Sequence, residues 1–271
     1  MRVLIAGGTD SARLCHLLRK DNHEVILLRR DASTAPVPAG VTALHWDGCT
    51  AHGWGHLIDA STVIINFADE HPVSWLWIPQ QAGQVLQRRL CAAQALAEAV
   101  RQAPQRPHLL LHESTIDYYG DCGDDLLIED SPPGEGWRAR VVAELEQATK
   151  DIPARQVWLR MGLVLDKKSL PGVLTSDSQW ISWVHSDDVA RAIRFLLARG
   201  DASGPVNIAA PAPATAACFR KLLAQLQPKR KLRPMPDSVL ESQRALPHKL
   251  TNMGFRFAFP DAEDALRMLF L

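Results

Sequence analysis

Gly7 and Gly8 follow directly on the apolar run Val3–Ala6, and two arginines, Arg29 and Arg30, close the next apolar run, His23–Leu28. Glycines at the carboxyl end of a buried strand allow a tight turn and let a foreign group approach the backbone. A helix starting there offers unpaired N–H groups and a partial positive charge to a pyrophosphate. The end of the second strand of such a unit meets an adenosine ribose, where an acid suits a free 2′-hydroxyl and an arginine suits a 2′-phosphate. Two arginines at that corner point to NADP(H) over NAD. The glycine fingerprint is incomplete, because Gly7 and Gly8 are followed by Thr9, Asp10, Ser11 and Ala12. At ~6 Å and an effective dielectric of ~20, Asp10 would repel a phosphate by about 3 kcal/mol unless it points away or caps the helix. Asp10 or Ser11 equally reads as a plain N-cap, and Arg29 and Arg30 also read as solvated strand-end charges.

A second set of candidate ligands is weaker. His45, His52 and His56 lie close in sequence, and His52 and His56 have the i, i+4 spacing of a metal pair. The segment HGWGH holds two glycines, and beyond Asp47 and Asp59 no further ligand is evident, so these read as surface or packing histidines and no metal is expected.

The elements that must position these residues alternate between strand and helix. Leu14, Leu17 and Leu18 recur at helical spacing after the glycines. Val41–Trp46, Ser61–Ala68, Pro107–His112, Gln156–Arg160 with Gly162–Leu165, and Pro205–Ala209 read as strands. Helices are expected at about 79–103, 137–149, from Trp183 to Arg199, at 214–227 and at 262–270. The acidic stretch Asp121–Asp130 reads as solvated surface, and Asp166–Ser182 as irregular. Such alternation means a parallel α/β sheet.

Composition bounds the function classes. The chain has 271 residues, 46% hydrophobic, enough for one large α/β domain or a domain with a small lobe. Lys+Arg and Asp+Glu are both 30, so no broad nucleic-acid surface is expected. No apolar run reaches transmembrane length, and the first strand begins at residue 2, which leaves no room for a signal peptide. Cys15, Cys49, Cys91, Cys122 and Cys218 are scattered without a CxxC pair, which argues for reduced thiols and a cytoplasmic location.

Five stretches together carry a resemblance: IAGGT at Ile5–Thr9, VIINFADE at Val63–Glu70, STIDYYGD at Ser114–Asp121, WVHSDDVARAI at Trp183–Ile193 and QRALPHKLTNMGFRF at Gln243–Phe257. The chain resembles the extended short-chain dehydrogenase/reductases, and within them the atypical NAD(P)-dependent epimerase family of unassigned substrate. The resemblance implies a Rossmann-like doubly wound parallel sheet with a small C-terminal substrate lobe. The domains are placed at 1–165 and 166–271, partly interleaved. It also implies that Gly7, Gly8 and Thr9 form the pyrophosphate turn, that Arg30 with Arg29 meets the 2′-phosphate, and that Asn66, Phe67 and Ala68 lie along the cofactor. Ser114 matches the catalytic Ser/Thr position, where a hydroxyl can hydrogen-bond a substrate carbonyl or alcohol as hydride moves; a turn residue is the plainer reading. The compact turn Gly-Gly-Thr-x-Ser-Ala-Arg is also similar to that of NADPH-using precorrin reductases, which brings in Ser11 and Arg13.

The departures are equally informative. The wider superfamily uses Tyr-x-x-x-Lys on the helix after the Ser/Thr strand, with the tyrosine as acid/base. Here that helix reads GWRARVVAELEQATK and contains no tyrosine; aligning Glu146 with the family's acidic position places Arg138 and Val142 at the two sites. Asp69 stands where the family has glycine, and the segment 166–182 is short for a substrate-side insertion, which implies a more open pocket. Two readings follow. One is an NADP-dependent oxidoreductase or epimerase on a small carbonyl or sugar-like substrate, with Ser114 polarising the oxygen and Tyr118, Tyr119, Asp117 or Glu113 supplying the proton. The other is a nucleotide-binding or ligand-sensing protein that keeps the fold without the chemistry. In either, the expected partner is a small molecule, not nucleic acid or membrane.

Changing Arg29 to Asp together with Arg30 to Ala tests the corner. Loss of charge-assisted bonds of ~1.5–3 kcal/mol each should weaken NADP far more than NAD in calorimetric titration. Equal weakening of both would reduce the pair to a structural role.

Overall fold

The computed structural model describes residues 1–7, 11–30, 36–67, 79–167, 176–227 and 241–270. Strands β1 (Arg2–Gly7), β2 (Glu24–Arg29), β3 (Thr42–His45), β4 (Thr62–Phe67), β5 (Leu109–Thr115), β7 (Gln156–Met161) and β11 (Gly204–Ile208) form one seven-stranded sheet. Its order is β11-β7-β5-β4-β1-β2-β3, a doubly wound arrangement in which the chain starts near the middle and winds outward both ways. The pairs β1–β2, β1–β4, β2–β3 and β4–β5 are all parallel. Val3, Leu4, Ile5 and Ala6 are fully buried, as are Val63, Ile64 and Ile65. Strands covered on both faces need such continuous apolar runs, and each large side chain so buried contributes roughly 1.5–3 kcal/mol.

By packing, the chain divides into two compact units: Met1–Ser114 with Ala143–Leu159 and Ile193–Gly204, and Thr115–Val142 with Arg160–Ala192 and Pro205–Leu271. In the first unit, α1 (Ala12–Lys20) and the long α2 (Pro79–Gln102) connect strands. Ala92, Ala95, Leu96, Ala99 and Val100 of α2 pack with Leu4, Ile26, Ile64 and Leu110 of the sheet and with Trp46, Trp54 and Ile58. The small residues of α2 let the helix lie close to the strands. α3 (Trp137–Thr149) begins in the second unit and ends in the first.

The second unit holds α5 (Ala216–Leu226), α6 (His248–Asn252) and α7 (Ala262–Phe270); Phe219 and Leu223 of α5 and Ala265, Leu266 and Leu269 of α7 share a core with Trp183 and Ile181. Its short pairings are β6 (Leu126–Leu127) with β13 (Arg244–Ala245), β8 (Leu163–Leu165) with β10 (Trp183–His185), and β9 (Trp180–Ile181) with β12 (Ala214–Thr215). Two local expectations are corrected here. Trp183–His185 is a strand rather than the start of the following helix; α4 begins at Ser186 and runs to Leu197, because the β8 pairing claims the apolar tripeptide first. The acidic stretch 121–130 is not merely solvated, since Leu127 and Glu129 are buried. Among the described residues no helix is long and apolar enough to cross a membrane.

One buried carboxylate ties the second unit's C-terminal segment down. Asp188, fully buried in the first turn of α4, accepts hydrogen bonds from the N–H groups of Ala258 and Phe259, both at 2.9 Å. Asp188→Ala would leave both donors without acceptors. Stability in urea should fall by roughly 2–5 kcal/mol; a loss under about 0.5 kcal/mol would show that water satisfies them.

Candidate functional site

The parallel register places the carboxyl ends of the central strands along one edge. Ala6 lies opposite Leu28 on one side and Asn66 on the other, Gly7 lies opposite Phe67, and Asn66 lies opposite His112. Gly7 closes β1 at φ +77°, a left-handed conformation that favours glycine. The chain re-enters the described structure at Ser11, the N-cap of α1, whose side chain makes no capping bond. Arg13 is exposed on the first turn, which carries no acidic residue. Among the described residues, the N–H groups at this helix start meet neither a cap from the Ser11 side chain nor an acidic residue in the first turn. Arg29 ends β2, half-buried. Of the residues expected to hold a cofactor, Gly8, Thr9 and Ala68 lie outside the described residues, as do Asp10 and Asp69.

Arg30 is seated on Gly48, with its guanidinium where a side chain at residue 48 would have to be. Gly48 has φ +81°, so that position favours glycine twice over. The Nη2 of Arg30 is shielded from solvent and has no hydrogen-bond partner among the described residues. A buried guanidinium nitrogen is costly unless an acceptor meets it.

At the end of β5, Ser114 is 5% exposed, and its hydroxyl donates to Glu146 Oε1 of α3 at 2.6 Å. The Ser114 proton is thus directed at a carboxylate, and the oxygen's lone pairs are what remain for another donor. Beside it Glu113 forms an ion pair with Arg89 of α2 at 3.0 Å, both largely buried. His112 is buried with Nε2 at 3.0 Å from Gln156 Oε1, and burial holds its pKa down at about 4. It is therefore a neutral packing histidine at physiological pH.

The two tyrosines belong to the second unit, in a single 3₁₀ turn, Ile116–Tyr119. Tyr119 is fully buried. Its hydroxyl donates to Asn207 Oδ1 at 2.7 Å and accepts from Arg160 Nη1 at 3.1 Å, and burial pushes its pKa up to about 12. Tyr118 is half-buried, with the Arg160 guanidinium 3.4 Å from its ring centre, a cation–π contact. Glu129, equally buried, accepts from the backbone N–H groups of Asn207 and Lys249.

A carboxylate pair in the same unit was not evident from the sequence. Asp117 is buried and accepts a hydrogen bond from the Thr115 hydroxyl at 2.6 Å; burial raises its pKa, opposed by that bond and by Arg138. Glu241 has an Oε2 shielded from solvent and unmatched by any donor among the described residues. Burial pushes its pKa up to about 7, helped by Asp117 and Asp121 and opposed by Arg138. Arg138, the residue aligned with the missing tyrosine, is itself buried. Glu241 has no local motif in the sequence, and Glu146 serves there only to set the helix register; each acquires its neighbours only through folding. Among the described residues no group of three or more His, Cys, Asp and Glu side chains is arranged to hold a metal.

Comparison with known proteins places this geometry. The model of a domain of unknown function, DUF1731, matches residues 232–269. The human epimerase family protein SDR39U1 is 29% identical over 98% of this chain and 99% of its own length. The Bacillus subtilis epimerase family protein YfhF is 27% identical over 99% of this chain and 98% of its own. The crystal structure of the human protein (isoform 2), determined with NADPH, superposes with a TM-score of 0.83 at 28% identity, covering 99% of both chains. A nucleoside-diphosphate sugar epimerase from Corynebacterium glutamicum gives 0.80 at 26% identity, over 99% of this chain and 58% of that one.

Glu241 makes stability depend on pH in a definite direction. Its carboxyl moves from an ordinary 4.5 to about 7 on folding, so the folded chain binds the proton more tightly and stability falls as pH rises through that window. Glu241→Gln removes the titrating group. Relative to the parent chain, the variant should be more stable at about pH 8 than at about pH 5 by urea midpoint, while the opposing His112 contribution cancels in the comparison. An unchanged difference across that range would place Glu241 in water.

Proposed function

We propose that the chain, similar over nearly its whole length to epimerase family proteins of the atypical extended short-chain dehydrogenase/reductases, is an NADP-dependent oxidoreductase or epimerase. Its substrate in this reading is a small carbonyl or sugar-nucleotide-like alcohol. The observation that carries the cofactor assignment is the Nη2 of Arg30 just past the end of β2, buried and without an acceptor among the described residues, where a 2′-phosphate is read. The positive φ of Gly7 and a first turn of α1 that holds no acidic residue suit a pyrophosphate. The human relative's NADPH complex and the name of the Corynebacterium neighbour support the same class. In this reading Gly7, Gly8, Thr9, Ser11 and Arg13 hold the pyrophosphate, Arg29 and Arg30 the 2′-phosphate, and Asn66, Phe67 and Ala68 line the cofactor.

Bound, the nicotinamide supplies the hydride donor or acceptor that no side chain can be. The chain's own contribution is proton management. Ser114 Oγ, with its proton directed to Glu146, accepts a hydrogen bond from a substrate hydroxyl. When that hydroxyl loses its proton to Ser114, the serine proton passes to Glu146. In the reverse direction a protonated Glu146 returns it. This relay does the work that Tyr-x-x-x-Lys does elsewhere in the superfamily. Tyr119, with its pKa at about 12, holds a proton too tightly to exchange it near neutral pH and acts by positioning its turn; Tyr118 is the tyrosine left for proton exchange. The missing Tyr-x-x-x-Lys pair favours the second reading, a nucleotide-binding or ligand-sensing protein without turnover.

Calorimetric titration with NADPH, NADP⁺, NADH and NAD⁺ tests the proposal, followed by a carbonyl and sugar-nucleotide panel with the preferred cofactor. Micromolar binding of an NADP form with NAD much weaker is expected, and no binding of any of the four overturns the assignment. With a turned-over substrate, Ser114→Ala should cut turnover by about 10²–10⁴-fold. Selective binding with no turnover across the panel would favour the sensing protein.

A further inference from the structure

Arg30 owes its place to the turn across from it. The Arg29 carbonyl accepts from the Trp46 N–H at 2.8 Å, one residue beyond the end of β3. The turn that follows, 46–50, is closed on itself. Asp47 Oδ1 accepts from the N–H groups of Cys49 and Thr50, both at 2.8 Å, and Oδ2 accepts from the Thr50 hydroxyl at 2.7 Å. The Trp46 and Trp54 indoles donate to the Thr50 carbonyl, at 2.7 and 3.0 Å, and both rings are buried in the core of the sheet. Gly48, in the middle of the turn, is buried with φ +81°. A β-carbon on Gly48 would lie 2.6 Å from Arg30 Nη2 and 2.7 Å from its Cζ, closer than such atoms approach. The turn is pinned on either side of Gly48, whereas the guanidinium is the far end of a flexible side chain. The arginine is the part that would have to give way.

We propose that Gly48 is a positioning residue for nucleotide selectivity: its bare Cα is the seat that orients the Arg30 guanidinium toward the phosphate on the adenosine ribose, an inference that rests on the proposed NADP assignment. A guanidinium presents its N–H donors in one rigid plane. Laying the Nε and Nη2 side of Arg30 on Gly48 fixes that plane, and with it the direction of the donors left for a ligand. An arginine held before the ligand arrives also loses less side-chain freedom on binding. With any β-carbon at residue 48 the positive charge stays in the chain but its donors point elsewhere. The loss then falls on the nucleotide that carries a 2′-phosphate and spares the one that carries a hydroxyl there.

Calorimetric titration of the full chain with NADPH and NADH reads the effect as a ratio of affinities. Gly48→Ala should lower the parent chain's preference for NADPH by about tenfold or more, the scale of one charge-assisted hydrogen bond, and leave NADH affinity within about threefold. Gly48→Asn separates the β-carbon from backbone strain, because asparagine tolerates the left-handed conformation; it should lose the preference equally. With Arg30→Ala already in place, Gly48→Ala should change the two affinities alike, because the residue it acts through is gone. A parent chain without NADPH preference overturns the cofactor assignment and this inference together. Preference lost in Arg30→Ala but kept in both Gly48 variants overturns this inference alone. So does equal weakening of the two nucleotides, a loss confined to the alanine variant, or failure of both Gly48 variants to fold by urea titration.

Discussion

The hydrogen-bonded seating of β1 between β2 and β4 is the constraint on which the rest depends. Its four central residues have no solvent exposure, so their amides are satisfied only by neighbouring strands. Parallel pairing then sends all the central strands out of the sheet in the same direction. Gly7, Arg29, Asn66 and Ser114 come from four separate stretches, yet they reach one edge because of that shared direction. A one-residue slip of β1 against β4 would turn its side chains to the opposite face of the sheet and separate Gly7 from Phe67.

Buried charge is the second organising feature. Glu113 is met by Arg89, Asp188 by two backbone N–H groups and Arg191, and Glu129 by two more backbone donors. Such groups persist in an apolar interior because their hydrogen bonds and opposite charges offset desolvation. Against that pattern several atoms are shielded and unmatched among the described residues, among them the Nη2 of Arg30, the second carboxylate oxygen of Glu129 and the Oε2 of Glu241. Unsatisfied groups of this kind are a liability in an isolated chain and an asset where a ligand or a proton must be held. The proposed cofactor corner and the pH-sensitive carboxyl both rest on such atoms.

Much of the fold was legible from local pattern. The runs Val3–Ala6, Val25–Leu28, Val63–Ile65 and Leu109–Leu111 are continuous and apolar because parallel strands are covered on both faces. The turn at Gly7 was legible because only a narrow set of residues tolerates its conformation. The exceptions have a common cause. Trp183–His185 has no sequence feature separating it from the helix that follows, and its strand state comes from pairing with a segment about twenty residues earlier. Glu129 looked like one more surface acid in an acidic stretch, and only the approach of Asn207 and Lys249 makes it a buried acceptor.

The sequence by itself determined the strand-turn-helix opening, the alternation that builds a parallel sheet, the arginine corner and the absence of Tyr-x-x-x-Lys, because each is written within a short window. Only folding decides that the Ser114 hydroxyl faces Glu146, that Arg30 sits on Gly48, and that Tyr119 is held by Asn207 and Arg160. Each of those contacts joins residues distant along the chain. Side-chain chemistry can be read locally, but the partner that modifies it is set by which segments the sheet and its helices pack together.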